Sequence, residues 1–251
     1  MKKLRVLFSL AALSTVLILT SCLGSDNDYK PQSLAYATVT GDRLTGFYLY
    51  ADGGVVLQPG SIPSPELLES YKRVYLAYTL QEGFQLPDTL KETSIIKIDI
   101  LDWVPIDTKN VIDLYSNQVA IDSLTQKVDS IYSFDHLGAY KGYVTLDTKV
   151  YWDQKNRPYM NLAFDSKKNI SNDTVYFTLY YNSKIATNGY AYSSSSTNSF
   201  KLPDYIYSDV EAKQDSIVLA VKARVNEGSR WKEETKYQKI PKDHLFPPRG
   251  Y

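Results

Sequence analysis

The sequence predicts an all-β protein: an OB-like five-stranded barrel with one short helix, followed by a C-terminal antiparallel β-sandwich. Three observations carry that expectation. Apolar residues alternate with polar ones through most of 34–104 and 142–240, the period of strands with one buried face. The interruptions are clusters of Gly, Asp, Asn and Pro, which turn a chain for known steric reasons. No amphipathic helix of three turns interleaves with the strands, which disfavours parallel βαβ architectures.

The first segment is not strand. Lys2, Lys3 and Arg5 precede an apolar run from Leu7 to Leu19. That run is too short to span a bilayer core, which needs about 20 residues, so residues 1–21 are expected to be a cleaved signal peptide. Leu19-Thr20-Ser21-Cys22 resembles a bacterial lipobox, an aliphatic residue and two small ones before a Cys. The resemblance implies that Cys22 takes a diacylglycerol, is cleaved to become the first residue, and anchors the chain through acyl groups such as palmitate. Cys22 is the one cysteine in the chain, so no internal disulfide framework exists. Residues 22–30 then read as a lipidated tether. Within them, Ser25-Asp26-Asn27-Asp28 resembles the acidic export signal of some surface lipoproteins. Outer-membrane placement is expected, with the outer and periplasmic faces both open.

The barrel is expected over 31–108. Leu34–Thr40, the turn Gly41-Asp42-Arg43 and Leu44–Tyr50 form a first hairpin. Asp52-Gly53-Gly54 signals a second, because Asp and Gly tolerate positive φ. Val55–Leu57 leads to a Pro-rich bend. Ser64-Pro65-Glu66 reads as a helix start, with Ser at the N-cap and Pro at the first helical position. That helix is short, because Arg73–Leu80 alternates again and Ser94–Val104 follows. Three strands, a helix and two strands is the order of an OB barrel.

Residues 109–141 are read as a connector, with a helical turn or an extra strand allowed by Ile121, Leu124, Val128 and Ile131. The sandwich is expected over 142–246, with 247–251 as a tail. Its inward faces are Val144, Leu146, Val150 and Trp152; Met160, Leu162 and Phe164; Val175, Phe177, Leu179 and Tyr181; and Ile217 through Val225. Phe200–Leu202 and Tyr237–Ile240 read as shorter strands, and Ser193–Ser196 as a mobile hairpin tip.

Charge and motifs narrow the function. The 28 cations balance 28 anions, which argues against a nucleic-acid partner, normally met by a clustered basic surplus. Removal of 1–21 takes three cations and no acid, leaving 25 against 28 and a net charge of −3. His136 and His244 stand far apart, and no metal or cofactor motif occurs. Ser94-Ile95-Ile96-Lys97 matches the text of a Ser-x-x-Lys motif, but in a strand those side chains point to opposite faces. Gly41 and Gly46 have phosphate-loop spacing, but Phe47 and Tyr48 replace the required Lys and Ser/Thr. Asp26-Asn27-Asp28 lacks the Gly and Glu of an EF-hand loop. No catalytic residue emerges, and an enzyme is not expected.

Taken with the lipobox at Cys22, the strand–helix–strand order through Arg73–Leu80 and the segment Tyr159-Met160-Asn161-Leu162-Ala163-Phe164 resemble the NigD-like lipoprotein family of Gram-negative anaerobes. The resemblance implies an OB-like domain followed by a β-sandwich. It implies no catalytic residues. The family's name comes from a bacteriocin gene cluster, so an immunity-like role is implied by association.

Two surface features invite hypotheses. Tyr190, Tyr192, Tyr205, Tyr207 and Trp231 stand at strand edges or loops, where aromatics with a polar tip can serve as a platform for a sugar or a protein. Asp-Ser/Thr-aliphatic triplets resemble the O-glycosylation acceptor of these anaerobes. Thr89, Ser123 and Ser130 are the expected acceptors, and Thr174 and Ser216, which open strands, are not. The leading expectation is a non-catalytic cell-envelope lipoprotein that binds a protein or glycan. A bacteriocin immunity-like protein at the outer membrane is the alternative, and an enzyme with an unrecognised site the third.

Overall fold

The computed structural model describes residues 32–245 apart from 92–93, 116–127, 154–155, 167–169, 172, 186–190, 205, 207–214 and 229. The expected signal peptide, tether, Cys22 and tail lie outside the described residues.

Residues 33–105 form a closed barrel of β1 (Ser33–Asp42), β2 (Gly46–Ala51), β3 (Val56–Ser61), β4 (Arg73–Leu80) and β5 (Ile95–Pro105). The strands close in the order β1-β2-β3-β5-β4, with β4 paired back to β1 and β3 parallel to β5. This is the OB order expected from the sequence. The alternating apolar positions Ala37, Leu49, Leu57, Val74, Leu76 and Ile98 fill the barrel, and each large aliphatic side chain so buried contributes about 1.5–3 kcal/mol. The short helix α1 (Pro65–Leu68) sits where Ser64-Pro65 places it and adds fully buried Leu68 to the same core. Ser64 caps it differently from a standard N-cap. Its φ of 52° is left-handed and its side chain makes no cap bond, while its carbonyl accepts the Leu67 and Leu68 N–H groups.

The rest is a two-sheet sandwich. One sheet runs β6 (Asp107–Asn110), β13 (Tyr192–Lys201), β9 (Tyr143–Trp152), β8 (Ser133–Tyr140). The other runs β15 (Trp231–Pro241), β14 (Ser216–Asn226), β12 (Thr174–Asn182), β10 (Tyr159–Phe164), β7 (Ile112–Asp113), with β11 (Ile170–Ser171) beside β12. Helix α2 (Lys242–Leu245) follows. Val144, Leu146, Phe164, Phe177, Phe200, Leu219 and Val221 meet between the sheets. Most pairings are antiparallel, as expected, but β12–β14, β10–β7 and β13–β6 are parallel. The first follows from the route of the chain: after β12 it crosses to the other sheet for β13, then returns as β14 in the direction of β12.

Two expectations need correction. The span 109–141 is not simply a connector, because β7, the end of β6 and β8 belong to the sandwich. Strands β6 and β8 are the edges of their sheet, and edge strands carry the charged and polar residues that discourage further pairing. That composition hides the period of β6 (Asp-Thr-Lys-Asn), while in β8 the register irregularity between Phe134 and His136 breaks the alternation. The barrel and sandwich are therefore joined by Ile106 alone, which is buried. Ser193–Ser196 is not a hairpin tip either; it lies inside β13, paired to Tyr151–Thr148 of β9.

Candidate functional site

The barrel docks on the outer face of the four-stranded sheet, and the alternation along β9 decides which side chains it meets. Val144, Leu146 and Val150 face the core, so Thr145 and Asp147 face outward. Opposite them in register on β13 stand Ser199 and Thr197. A sheet face of hydroxyls and a carboxylate thus lies under the barrel.

Arg73, first residue of β4, fills that contact. It is fully buried, and a buried charge is tolerated only when paired and hydrogen-bonded. Its guanidinium donates to both Asp52 carboxylate oxygens at 2.6 and 2.7 Å, a bidentate pair inside the barrel. It donates further to Thr38 at 3.0 Å, and across the interface to Thr145 at 2.7 Å and Ser199 at 3.2 Å. Thr145 and Ser199 also share a hydrogen bond of 2.9 Å. The Arg73 carbonyl accepts the Ile106 N–H, tying the junction to the same residue.

Beside this lock opens a cleft of roughly 270 Å³, lined by Tyr36, Tyr75, Val104, Pro105, Asp135, Asp147 and Thr197 among others. Tyr36 and Tyr75 are partners in the β1–β4 register, their rings 4.8 Å apart and tilted by 38°. The Tyr36 hydroxyl donates to Asp147 Oδ2 at 2.5 Å, and Thr197 donates to Asp147 Oδ1 at 2.7 Å. Burial, then that hydrogen bond to Asp147, pushes the Tyr36 phenol well above its ordinary range; burial and then the Asp147 charge raise Tyr75. His136 stacks on Tyr36 at 5.6 Å. Glycine at 138 makes room for that ring, since a Cβ there would lie 2.6 Å from His136 Nε2. An irregularity in the β8–β9 register between Phe134 and His136 falls at Asp135, and bulges of this kind re-aim a side chain. Asp135 lines the cleft and accepts from Ser133 at 2.8 Å.

This arrangement suits recognition. Tyr36 is held protonated, so it is a donor and a poor base, and both Asp147 oxygens are already engaged by hydroxyls. Among the described residues, no group of three or more His, Cys, Asp or Glu could hold a metal ion, and no helix is long and apolar enough to cross a membrane.

The residues singled out from the sequence lie elsewhere. Tyr192 opens β13 and Trp231 opens β15, both exposed and on different sheets. Arg224 covers a face of the Trp231 ring at 4.4 Å. Tyr190, Tyr205, Tyr207 and Ser123 lie outside the described residues. Thr89 is exposed in a bend, whereas Ser130 is half-buried between the bridges Asp129–Tyr181 and Ile131–Val225. Thr174 and Ser216 are half-buried at the starts of β12 and β14. His136 stacks behind Tyr36, a residue of the cleft wall; His244 packs edge-on against Tyr140. Sequence reading missed Tyr36, Arg73, Asp135 and Asp147. The available signal was the outward row Thr145, Asp147, which sits between core positions and has to face something polar.

No family model and no curated protein matches this chain. Solved structures do. A DUF1344 protein of unknown function from Bacteroides vulgatus superposes with a TM-score of 0.61 at 18% identity, over 84% of this chain and 92% of its own. A NigD-like immunity protein from Bacteroides caccae gives 0.57 at 17%, over 85% and 99%. A protein from Parabacteroides distasonis, provisionally described as toxin related, gives 0.57 at 18%, over 85% and 96%. These likenesses establish a shared fold over nearly the whole length of those proteins, the fold that the sequence resemblance implied.

Proposed function

We propose that this chain, which shares its fold with a NigD-like immunity protein, is a non-catalytic, immunity-like protein of the cell envelope that acts by binding a partner polypeptide in the cleft between barrel and sandwich. The observation that carries the reading is the cleft itself: both domains build it, and its hydroxyls and carboxylates are preorganised by one another. Such preorganisation lowers the ordering cost of binding. The aromatic platform of Tyr190, Tyr192, Tyr205, Tyr207 and Trp231, offered for a sugar or a protein alike, is a separate surface: Tyr192 and Trp231 lie on different sheets, and Arg224 occupies a face of Trp231.

Anchoring belongs to the same proposal. The lipobox-like Leu19–Cys22 and the acidic Ser25–Asp28 support lipid attachment at Cys22 and outer-membrane placement. Of the proposed glycan acceptors, Thr89, exposed in its bend, is better placed than half-buried Ser130, and Ser123 lies outside the described residues. Fractionation tests the anchor: Cys22→Ser should leave the membrane fraction or remain unprocessed, and a processed variant still in the outer membrane would refute it. A photo-crosslinker at position 195, on the cleft wall, tests the binding reading in the native host. It should capture a discrete polypeptide, and the strain lacking the protein should become sensitive to a neighbour's secreted toxin. Failure to capture a polypeptide removes the binding reading, and unchanged sensitivity removes the immunity-like role.

A further inference from the structure

We infer that the cleft takes a basic side chain, a lysine ammonium or arginine guanidinium presented by the partner; this rests on the cleft being the partner-binding site. The molecule pairs its charges unevenly. Arg73 is matched to Asp52 by two hydrogen bonds, but Asp135 and Asp147, which line the cleft, have no ion pair among the described residues. The donors they have are neutral hydroxyls: Tyr36 and Thr197 on Asp147, Ser133 on Asp135. Hydroxyl donors orient a carboxylate without cancelling its charge. Lys149, two residues along the outward face from Asp147, is exposed and pairs with neither.

The walls fit the same ligand. Tyr36, backed by His136 and flanked by Tyr75, makes a stiff aromatic side, and ring faces attract cations. Val104, Pro105 and Ile106 supply an apolar floor, suited to the methylene stem of Lys or Arg while its head stays polar. The roughly 270 Å³ available falls below the pockets of about 300–1,000 Å³ that enclose whole ligands. One long side chain is what it accommodates. An acidic group would meet two carboxylates, and a purely apolar one would desolvate them without compensation.

The test titrates the full-length chain with N-acetyl-arginine methylamide and N-acetyl-lysine methylamide, using the N-acetyl-norleucine and N-acetyl-glutamate analogues as controls. Shifts of the cleft tyrosine resonances provide the readout. The basic probes should saturate, bind at least about fivefold tighter than both controls, and weaken as salt screens the charges. Asp135→Asn, an exposed position with one hydroxyl contact, should weaken them at least about fivefold, since a good charge-assisted contact is worth that much. Tyr75→Leu should weaken them too, and serves if Asp135→Asn misfolds. Equal binding of the norleucine probe, or no change in Asp135→Asn, overturns the inference. If position 195 captures a polypeptide but the basic probes show no preference, the cation is wrong and the binding reading survives. If the probes bind as expected and no polypeptide is captured, the cation site stands and the polypeptide partner falls.

Discussion

Arg73 concentrates more consequence than any other side chain described, because it is fully buried and its hydrogen bonds are spent across two domains. Arg73→Ala strands the Asp52 carboxylate, and loss of one member of a buried pair costs about 3–5 kcal/mol; urea unfolding should show that loss. Arg73→Lys keeps the charge but not the fork that reaches both Asp52 oxygens, so it should recover only part of the stability. Tyr36→Phe deletes the hydroxyl on Asp147, and a bond to a charged group is worth about 1.5–3 kcal/mol. None of this was legible in the sequence. Arg73 looked like the polar opening of a strand, Asp52 like a turn residue, and the hydroxyls that complete the lock lie 72 and 126 residues further on. Only the third dimension brings them together.

Strands with one apolar face were readable because burial imposes a period of two, as in β1, β5, β9, β12 and β14. The elements that escaped are those in which something else sets the composition. Strand β6 is a polar edge, β8 is an edge whose alternation is broken by the irregularity at Asp135, and β7 is two residues long. The serines of β13 have weak strand preference, but pairing with β9 and the barrel on their outward face hold them extended. The cleft was invisible for the same reason: its walls come from the parts of strands that alternation marks as solvent-facing. The β1–β2 hairpin was read with its turn two residues early, since Gly41 and Asp42 belong to β1 and the turn is Arg43–Thr45, and it offers a graded test. Gly41 has φ +82° and a Cβ there would lie 2.0 Å from the Gly46 carbonyl oxygen, whereas Gly46 has φ +85° and open space around it. Gly46→Ala should cost only the left-handed strain of about 1–2 kcal/mol. Gly41→Ala should cost clearly more, read as a larger drop in unfolding midpoint.

Across the whole molecule, a one-residue junction and a shared buried arginine predict one cooperative unfolding event. Calorimetry should show a single transition for both domains, and Arg73→Ala should split or broaden it; two resolved transitions in the unaltered protein would contradict the coupling. Alkali probes the same unity. Burial raises the phenols of Tyr36, Tyr75, Tyr78, Tyr143 and Tyr181 above the ordinary value of 10.0. Above that pH the unfolded chain releases phenolic protons that the folded chain keeps, so the folded state binds more protons and stability falls as pH rises. Urea midpoints should decline from pH about 10 upward, and less steeply in Tyr36→Phe or Tyr181→Phe. The short junction also sets a timetable for a chain that emerges N-terminus first. The barrel is complete at Pro105, yet β6, which follows at once, pairs only with Asn198–Lys201 of β13. At about 5–20 residues per second, that partner arrives roughly 5–20 s later. For that interval the docking face of the barrel stands in water, with Thr38, Asp52 and Arg73 upon it. A greasy face would collect the wrong partner while it waited. A face of hydroxyls and one internally neutralised ion pair can stay wet and soluble until Ser199 and Thr145 come to close over it.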